Sequence, residues 1–189
     1  RSCHVTGRFT CHDNLRPTLT VRDALAQPQR DFSRVVLPPM SYIHEHDKIN
    51  NRWPAAEKFI LDHQLNEQFG PHVSKIGIIC QGGMYNGLIR ALQLLGLADI
   101  YGETQVPIYC LNITYPLLNT EFLPFVEGKD GVLIVEEGQP EFIEQGLSTM
   151  LLRSGLKVGL HGKDMLPMAG EYTGCLLYTS PSPRDGSES

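Results

Sequence analysis

Residues 75–96 read KIGIICQGGMYNGLIRALQLLG. A short apolar run, Ile76 to Cys80, meets the pair Gly82-Gly83, and a helical pattern follows with Leu88, Ala91, Leu92 and Leu95 on one face. Gly96 suits the end of that helix. A strand, a glycine turn and a helix in this order form half of a βαβ unit. The glycine pair has two readings, a cradle for a phosphate or the tight turn that such a unit needs. A dinucleotide fingerprint requires Gly-x-Gly-x-x-Gly, and a Walker loop requires Gly-Lys followed by Ser or Thr. Cys-Gln-Gly-Gly-Met-Tyr-Asn-Gly satisfies neither. Backbone N–H groups at a helix start still attract anions, but a tight turn using positive φ is the better-supported reading.

Downstream the alternation continues. VPIYCLNI (106–113) reads as a second strand and NTEFLPFVEG (119–128) as a short helix that Asn119 or Thr120 would cap. GVLIVEE (131–137) is a third strand. QPEFIEQGLSTMLLRSG (139–155) is a helix with Pro140 in its first turn and Gly155 at its end, and LKVGLHG (156–162) is a fourth strand. Strands alternating with helices imply a parallel sheet with right-handed crossovers. Apolar runs without polar alternation imply strands covered on both faces. The expected fold is α/β, a parallel sheet of about four strands with flanking helices.

Upstream, WPAAEKFILDHQLNEQFGP (53–71) reads as one helix, with Pro54 in its first turn and Gly70-Pro71 as its stop. Residues 1–52 are mixed. VTGRFTC (5–11) has a strand pattern, a short helical stretch follows, and Pro38-Pro39 favour extended backbone. This reads as a linker or the trailing edge of another domain.

Composition excludes several classes. The 189-residue chain is 41% hydrophobic and 20% charged, with a net charge of −5. That is a globular composition without a nucleic-acid footprint. No apolar run reaches the roughly 18 residues of a membrane span. Cysteines at 3, 11, 80, 110 and 175 are odd in number and irregularly spaced, which favours a reduced, cytoplasmic protein. Cys80 and Cys110 end apolar runs and read as buried small hydrophobes.

The chain offers little self-contained chemistry. Glu136 and Glu137 lie at the carboxyl end of a strand, where ligands bind in open α/β sheets. They suit acid/base work or, as the stronger reading, capping of the next helix. Cys3-His4 and Cys11-His12 lack the ligand spacing of structural zinc. His44, Glu45 and His46 lack the i, i+4 histidines of a zinc protease, so a solvated linker is expected there. There is no Gly-x-Ser-x-Gly elbow. Candidate ligand-binding residues in the strand-end loops are Gly82, Gly83, Asn86, Glu136 and Glu137. No catalytic residue or metal ligand is assigned.

Several phrases carry a resemblance. They are PPMSYIHEHDKINNRWPAAEKFI, QLNEQFG, the stretch from Lys75 to Asp99, LNITYPL, VLIVEEGQPEFIEQ and HGKDMLPMAGEYT. Together, in order across most of residues 1–173, they resemble the thiamine-diphosphate-bearing subunit of the bacterial indolepyruvate ferredoxin oxidoreductases. The resemblance implies a division of the chain. Residues 1–52 would end a pyrimidine-binding module and add a linker. Residues 53–162 would be an α/β domain like the C-terminal domain of transketolase. Residues 163–174 would lead into a diphosphate-binding module.

The resemblance also implies the reaction, ferredoxin-dependent oxidative decarboxylation of aryl 2-oxoacids such as indolepyruvate to acyl-CoA. Its cofactors would be thiamine diphosphate, Mg²⁺, 4Fe-4S clusters and coenzyme A. Its partners would be further modules of the same chain, a second subunit, ferredoxin and other copies in an oligomer. No Cys-rich cluster motif and no Gly-Asp-Gly diphosphate motif occurs in these residues, so no family catalytic residue is carried over. The segment is expected to be inactive alone and to serve assembly. CLLYTSPSPRDGSES (175–189) resembles the translation of a sequencing-library adapter, and it is expected to be a disordered tail without biological meaning. Two other readings remain, a stand-alone module for a small anion and a scaffold for subunit contacts. Binding of thiamine diphosphate, coenzyme A or indolepyruvate favours the first, and concentration-dependent dimerisation favours the second.

Overall fold

Two compact units meet in sequence between Lys48 and Ile49, in a computed structural model that describes residues 37–179. The strand pattern at 5–11, the metal-like pairs at 3–4 and 11–12, and the end of the tail lie outside the described residues. In the first unit the described residues form helix α1, Met40–Asp47. The prolines before it do not extend the chain as the sequence suggests. Pro39 is the N-cap of α1, a position where a missing N–H removes no helical hydrogen bond. His44, Glu45 and His46 sit on this helix, none of them buried.

Lys48–Arg52 form a single π-turn. The second unit contains helix α2, Trp53–Asp62, with Pro54 in its first turn as expected. The helix stops eight residues before Gly70, because Gln64 takes a left-handed φ of 48°. The chain then forms a short strand that sequence patterning reads as helix: β1, Glu67–Phe69. Next come β2, Ile76–Gln81, a 3₁₀ turn over Gly82–Met84, and α3, Tyr85–Leu94. The remaining elements are β3 (Ile108–Leu111), α4 (Asn119–Val126), β4 (Gly131–Val135), α5 (Phe142–Ser154) and β5 (Gly159–His161). The N-cap of α4 is Leu118, without a side-chain cap, rather than Asn119 or Thr120. Gly155 ends α5 at φ 75°, as its sequence position suggests.

The strands order as β1-β3-β2-β4-β5. Four strands, β2 to β5, are parallel, and β1 adds an antiparallel edge that aligns Glu67 with Cys110. The parallel α/β sheet is thus as expected, with one strand more. Strand pleating sends alternate residues to opposite faces. Ile79, Tyr109, Leu111, Val132 and Ile134 join Phe122, Phe125 and Leu147 of α4 and α5 in one core layer. Ile78, Cys80, Ile108, Cys110 and Val135 meet Leu88 and Leu92 of α3 in the other. Fully burying one such aliphatic or phenyl side chain contributes about 1.5–3 kcal/mol, so both faces of the sheet are anchored.

The tail expected to be disordered from residue 175 begins as helix α6, Gly174–Thr179. It packs on α3. The close approach rests on small residues: a Cβ at Gly87 would lie 3.4 Å from the Tyr172 carbonyl oxygen, and one at Gly174 would lie 3.2 Å from the Gly87 oxygen. Leu166 and Tyr172, in the preceding segment, are buried in the α3 layer. Among the described residues no helix is long and apolar enough to cross a membrane.

Candidate functional site

Chain order and strand order part company at β2. From it the chain steps to β3 on one side and then to β4 on the other. Open α/β sheets bind ligands in the crevice beyond the carboxyl ends of the strands at such a switch point. Here the crevice is bounded by Gln81 at the end of β2, Glu136 just after β4 and the first turn of α5. A cavity of about 620 Å³ occupies it, lined by Trp53, Gln81, Thr114, Tyr115, Leu117, Glu136, Phe142, Ile143, Gly146 and Met150. That volume lies in the range of small-molecule sites. Trp53 and Tyr115, both in its lining, meet edge to face with ring centroids 5.0 Å apart.

The polar groups of the crevice are largely spent on one another. Glu136 is buried, 5% exposed. Its carboxylate accepts from the Ile143 N–H at 3.0 and 3.1 Å and from the Glu144 N–H at 3.0 Å. A helix start presents unpaired donors and a positive dipole end, and Glu136 occupies both. This is the capping role that the sequence favoured, reached from the strand end before α5. The Gln81 side-chain oxygen accepts from the Glu137 N–H at 3.1 Å, clamping β2 to β4 across the switch point. The Glu137 carboxylate accepts from the Tyr172 N–H at 3.2 Å.

Lys163 extends the network. Its ammonium donates to the Glu136 carbonyl at 2.5 Å and to the Tyr172 hydroxyl at 2.7 Å, and lies 4.6 Å from the centre of the Tyr172 ring. The Tyr172 hydroxyl donates in turn to the Pro167 carbonyl. Beside it, His161 and the Gly162 N–H bond the Asp164 carboxylate at 2.8 and 2.7 Å. Burial works against the ionised Asp164, but these bonds outweigh it and hold the carboxyl below its ordinary range.

The structure thus brings four of the five candidate residues to adjoining strand ends. Gly82 and Gly83 form the 3₁₀ turn beside Glu136 and Glu137, and Asn86 is exposed in the first turn of α3. The glycines do not serve through positive φ, which neither adopts. A Cβ at Gly82 would lie 2.5 Å from the Asn112 side-chain oxygen, whereas one at Gly83 would meet nothing within 4 Å. Gly82 is small because Asn112 lies against it. Sequence reading missed Gln81, Trp53, Tyr115 and Lys163. Gln81 alone carried a signal, its place at the last position of the strand.

Among the described residues no three His, Cys, Asp or Glu side chains gather to hold a metal ion. Cys80 and Cys110 face each other on β2 and β3 in the α3 core layer, two thiols where an iron–sulfur cluster takes four ligands. Glu136 gives the crevice a buried negative charge, unsuited to a diphosphate. These residues do not fit a cluster, a Mg²⁺ site or a diphosphate cradle.

The model of the indolepyruvate oxidoreductase domain matches residues 66–167, from just before β1 to just after β5. The chain belongs to this family. The indolepyruvate oxidoreductase subunit IorA of Methanothermobacter marburgensis is 30% identical over 171 residues, which cover 85% of this chain and 26% of that protein. The IorA subunit of Thermococcus kodakarensis is 28% identical over 173 residues, covering 92% of this chain and 26% of the relative. The chain therefore spans about a quarter of the length of the curated relatives it matches. Among solved structures, 2-oxoglutarate:ferredoxin oxidoreductase from Magnetococcus marinus, with 2-oxoglutarate, coenzyme A and succinyl-CoA bound, aligns at a TM-score of 0.48 and 17% identity, over 75% of this chain and 23% of that one. The family expectation drawn from the sequence phrases is met.

Proposed function

We propose that the second unit is the central α/β module, like the C-terminal domain of transketolase, of the larger subunit of an indolepyruvate ferredoxin oxidoreductase. The observation that supports this most is the family match over residues 66–167, which falls on the sheet and its switch-point crevice. The whole enzyme would oxidatively decarboxylate aryl 2-oxoacids in the cytoplasm, with coenzyme A accepting the acyl group and ferredoxin the electrons. Thiamine diphosphate, Mg²⁺ and 4Fe-4S clusters would be held outside the described residues. They supply the electron sink and the electron path for that chemistry.

In this reading the module orients and assembles. Glu136 closes the α5 N-terminus to outside anions, Gln81 locks β2 to β4, and Lys163 ties the strand ends to the segment leading into the next module. The second subunit and further copies would dock on this frame.

The test compares this chain with the uninterrupted protein co-expressed with its partner subunit. Both are assayed for indolepyruvate-dependent, coenzyme A-dependent reduction of ferredoxin. Turnover only in the longer assembly is expected. Turnover by this chain alone removes the assembly role, and an uninterrupted, cofactor-loaded assembly that ignores indolepyruvate and other aryl 2-oxoacids removes the reaction.

A further inference from the structure

At the opposite end of the strands, beside β1 and near the amino ends of β3 and β4, a second cavity of about 240 Å³ is lined in part by Gln68, His72, Pro107, Pro124, Phe125 and Lys129. Lys129 is the notable member. It is only 6% exposed, although lysine is almost never fully buried unless paired. Among the described residues its ammonium has neither a hydrogen bond nor an ion pair; its contact is the face of Phe125, with 4.8 Å to the ring centroid. The arrangement is built into the backbone. The lysine stem crosses β2 at Gly77, where an added Cβ would lie 2.9 Å from Lys129 Cε, 3.0 Å from Cδ and 3.1 Å from the Phe125 ring. The strand gives up a side chain there, and the lysine fills the gap.

The stem of Lys129 is covered and burial lowers its pKa, while among the described residues no buried side-chain nitrogen lacks a hydrogen-bond partner, so the unbonded ammonium is within reach of solvent. No carboxylate lines the cavity. The neighbouring Asp130 lies 3.5 Å from Lys75, and both are exposed. The walls otherwise consist of proline and phenyl surface with the Gln68 amide and the His72 ring. One positive charge against apolar walls matches a single negative charge carrying a short apolar tail. At ~30 Å³ per water the space holds on the order of eight waters, enough for a molecule of a few heavy atoms. A doubly charged, strongly hydrated oxyanion would lose more hydration than one ammonium returns.

We propose that this cavity is a binding site for a short-chain carboxylate, with Lys129 as the counter-ion. The site is separate from the switch-point crevice and does not depend on the enzyme reading above.

The experiment titrates the full chain, labelled with ¹³C-lysine, with sodium butyrate and with inorganic phosphate, each against sodium chloride at equal ionic strength. The Lys129 resonance is assigned with Lys129→Met, which keeps an unbranched side chain in the space over Gly77. A saturable shift of that resonance by butyrate is expected, at least about tenfold tighter than with phosphate, since one charge-assisted bond is at stake. Butyrate should raise Tm in the parent chain and leave it unchanged in Lys129→Met. A Lys129 signal that does not move beyond the chloride control overturns the site. Phosphate binding as tight as butyrate overturns the carboxylate assignment. Equal butyrate stabilisation of both proteins places the binding elsewhere and overturns the role of Lys129.

Discussion

The Glu136 carboxylate, at the end of β4, accepts from the Ile143 N–H of α5 at 3.0 and 3.1 Å, seven residues along the chain. A strand end thereby caps the helix that follows it. Hydrogen bonds to charged groups contribute about 1.5–3 kcal/mol each, and an unsatisfied buried donor costs about 1–3 kcal/mol. Glu136→Ala should therefore lower stability by about 2–4 kcal/mol. Glu136→Gln, which keeps one acceptor, should lose about half of that. Urea unfolding followed by Trp53 fluorescence measures both. Equal stability of Glu136→Ala and the parent would mean that α5 finds other partners, and the crevice would then be open to outside anions.

Tyr109 is fully buried beneath α4 and donates to Glu121 at 2.7 Å, and the Asn66 side chain donates to the same carboxylate oxygen at 2.8 Å. Burial, together with the adjacent Glu121, pushes the Tyr109 pKa well above its ordinary value of 10.0. The folded chain thus keeps this proton where the unfolded chain loses it. The contribution is complete below about pH 10 and is lost as pH rises toward the folded value, at about 1.4 kcal/mol per pH unit. Tyr109→Phe should flatten this part of the alkaline stability curve while lowering stability near neutrality by about 1–2 kcal/mol through the hydrogen bond lost. An alkaline limb of unchanged slope in Tyr109→Phe would assign the effect to other groups, such as Tyr85, which burial also raises.

Much of this was legible in the sequence, and the gaps have physical causes. The inner strands announce themselves because they are covered on both faces, as the unbroken run Ile76 to Cys80 is. The edge strand β1 does not. Its three residues, Glu67–Phe69, follow a helical pattern that a left-handed Gln64 interrupts, and Gln64 carries no Gly or Asn to signal that turn. Glu136 was visible through its place at a strand end. Trp53 and Tyr115 were not, since helix packing against a loop 62 positions away leaves no trace in local periodicity.

The buried thiols make a third prediction. Cys80 and Cys110 are 1% and 2% exposed and aligned in register on β2 and β3. The hydrogen bond to Cys110 and burial both push the Cys80 thiol upward, while the same bond holds the Cys110 thiol below its ordinary value, so at Cys110 the protection is lack of access. Reactivity belongs to the thiolate and requires access. Alkylation with iodoacetamide at neutral pH, mapped by peptide mass spectrometry, should leave both residues unmodified in the folded chain and modify both in urea. Prompt modification of either one in the native state would show that the α3 layer opens locally.

The last prediction separates the two readings of the glycine pair. A Cβ at Gly82 would lie 2.5 Å from the Asn112 side-chain oxygen and 3.3 Å from its Cα. The Asn112 amide nitrogen in turn donates to the Leu65 carbonyl and the Glu67 carboxylate, both at 2.9 Å. Gly82→Ala must displace this side chain, which holds β1 at the sheet edge, and should lose about 1–2 kcal/mol at roughly 1 kcal/mol per bond. At Gly83 an added Cβ meets nothing within 4 Å, and its φ is not left-handed, so Gly83→Ala should stay within about 0.5 kcal/mol of the parent. Paired urea titrations measure the difference. A turn shaped for packing gives this asymmetry, because one glycine is crowded and the other is not. A phosphate cradle gives a different pattern: both variants would be nearly neutral for folding, and both would weaken binding of inorganic phosphate or thiamine diphosphate. Observation of that second pattern would return the pair to a ligand-binding role.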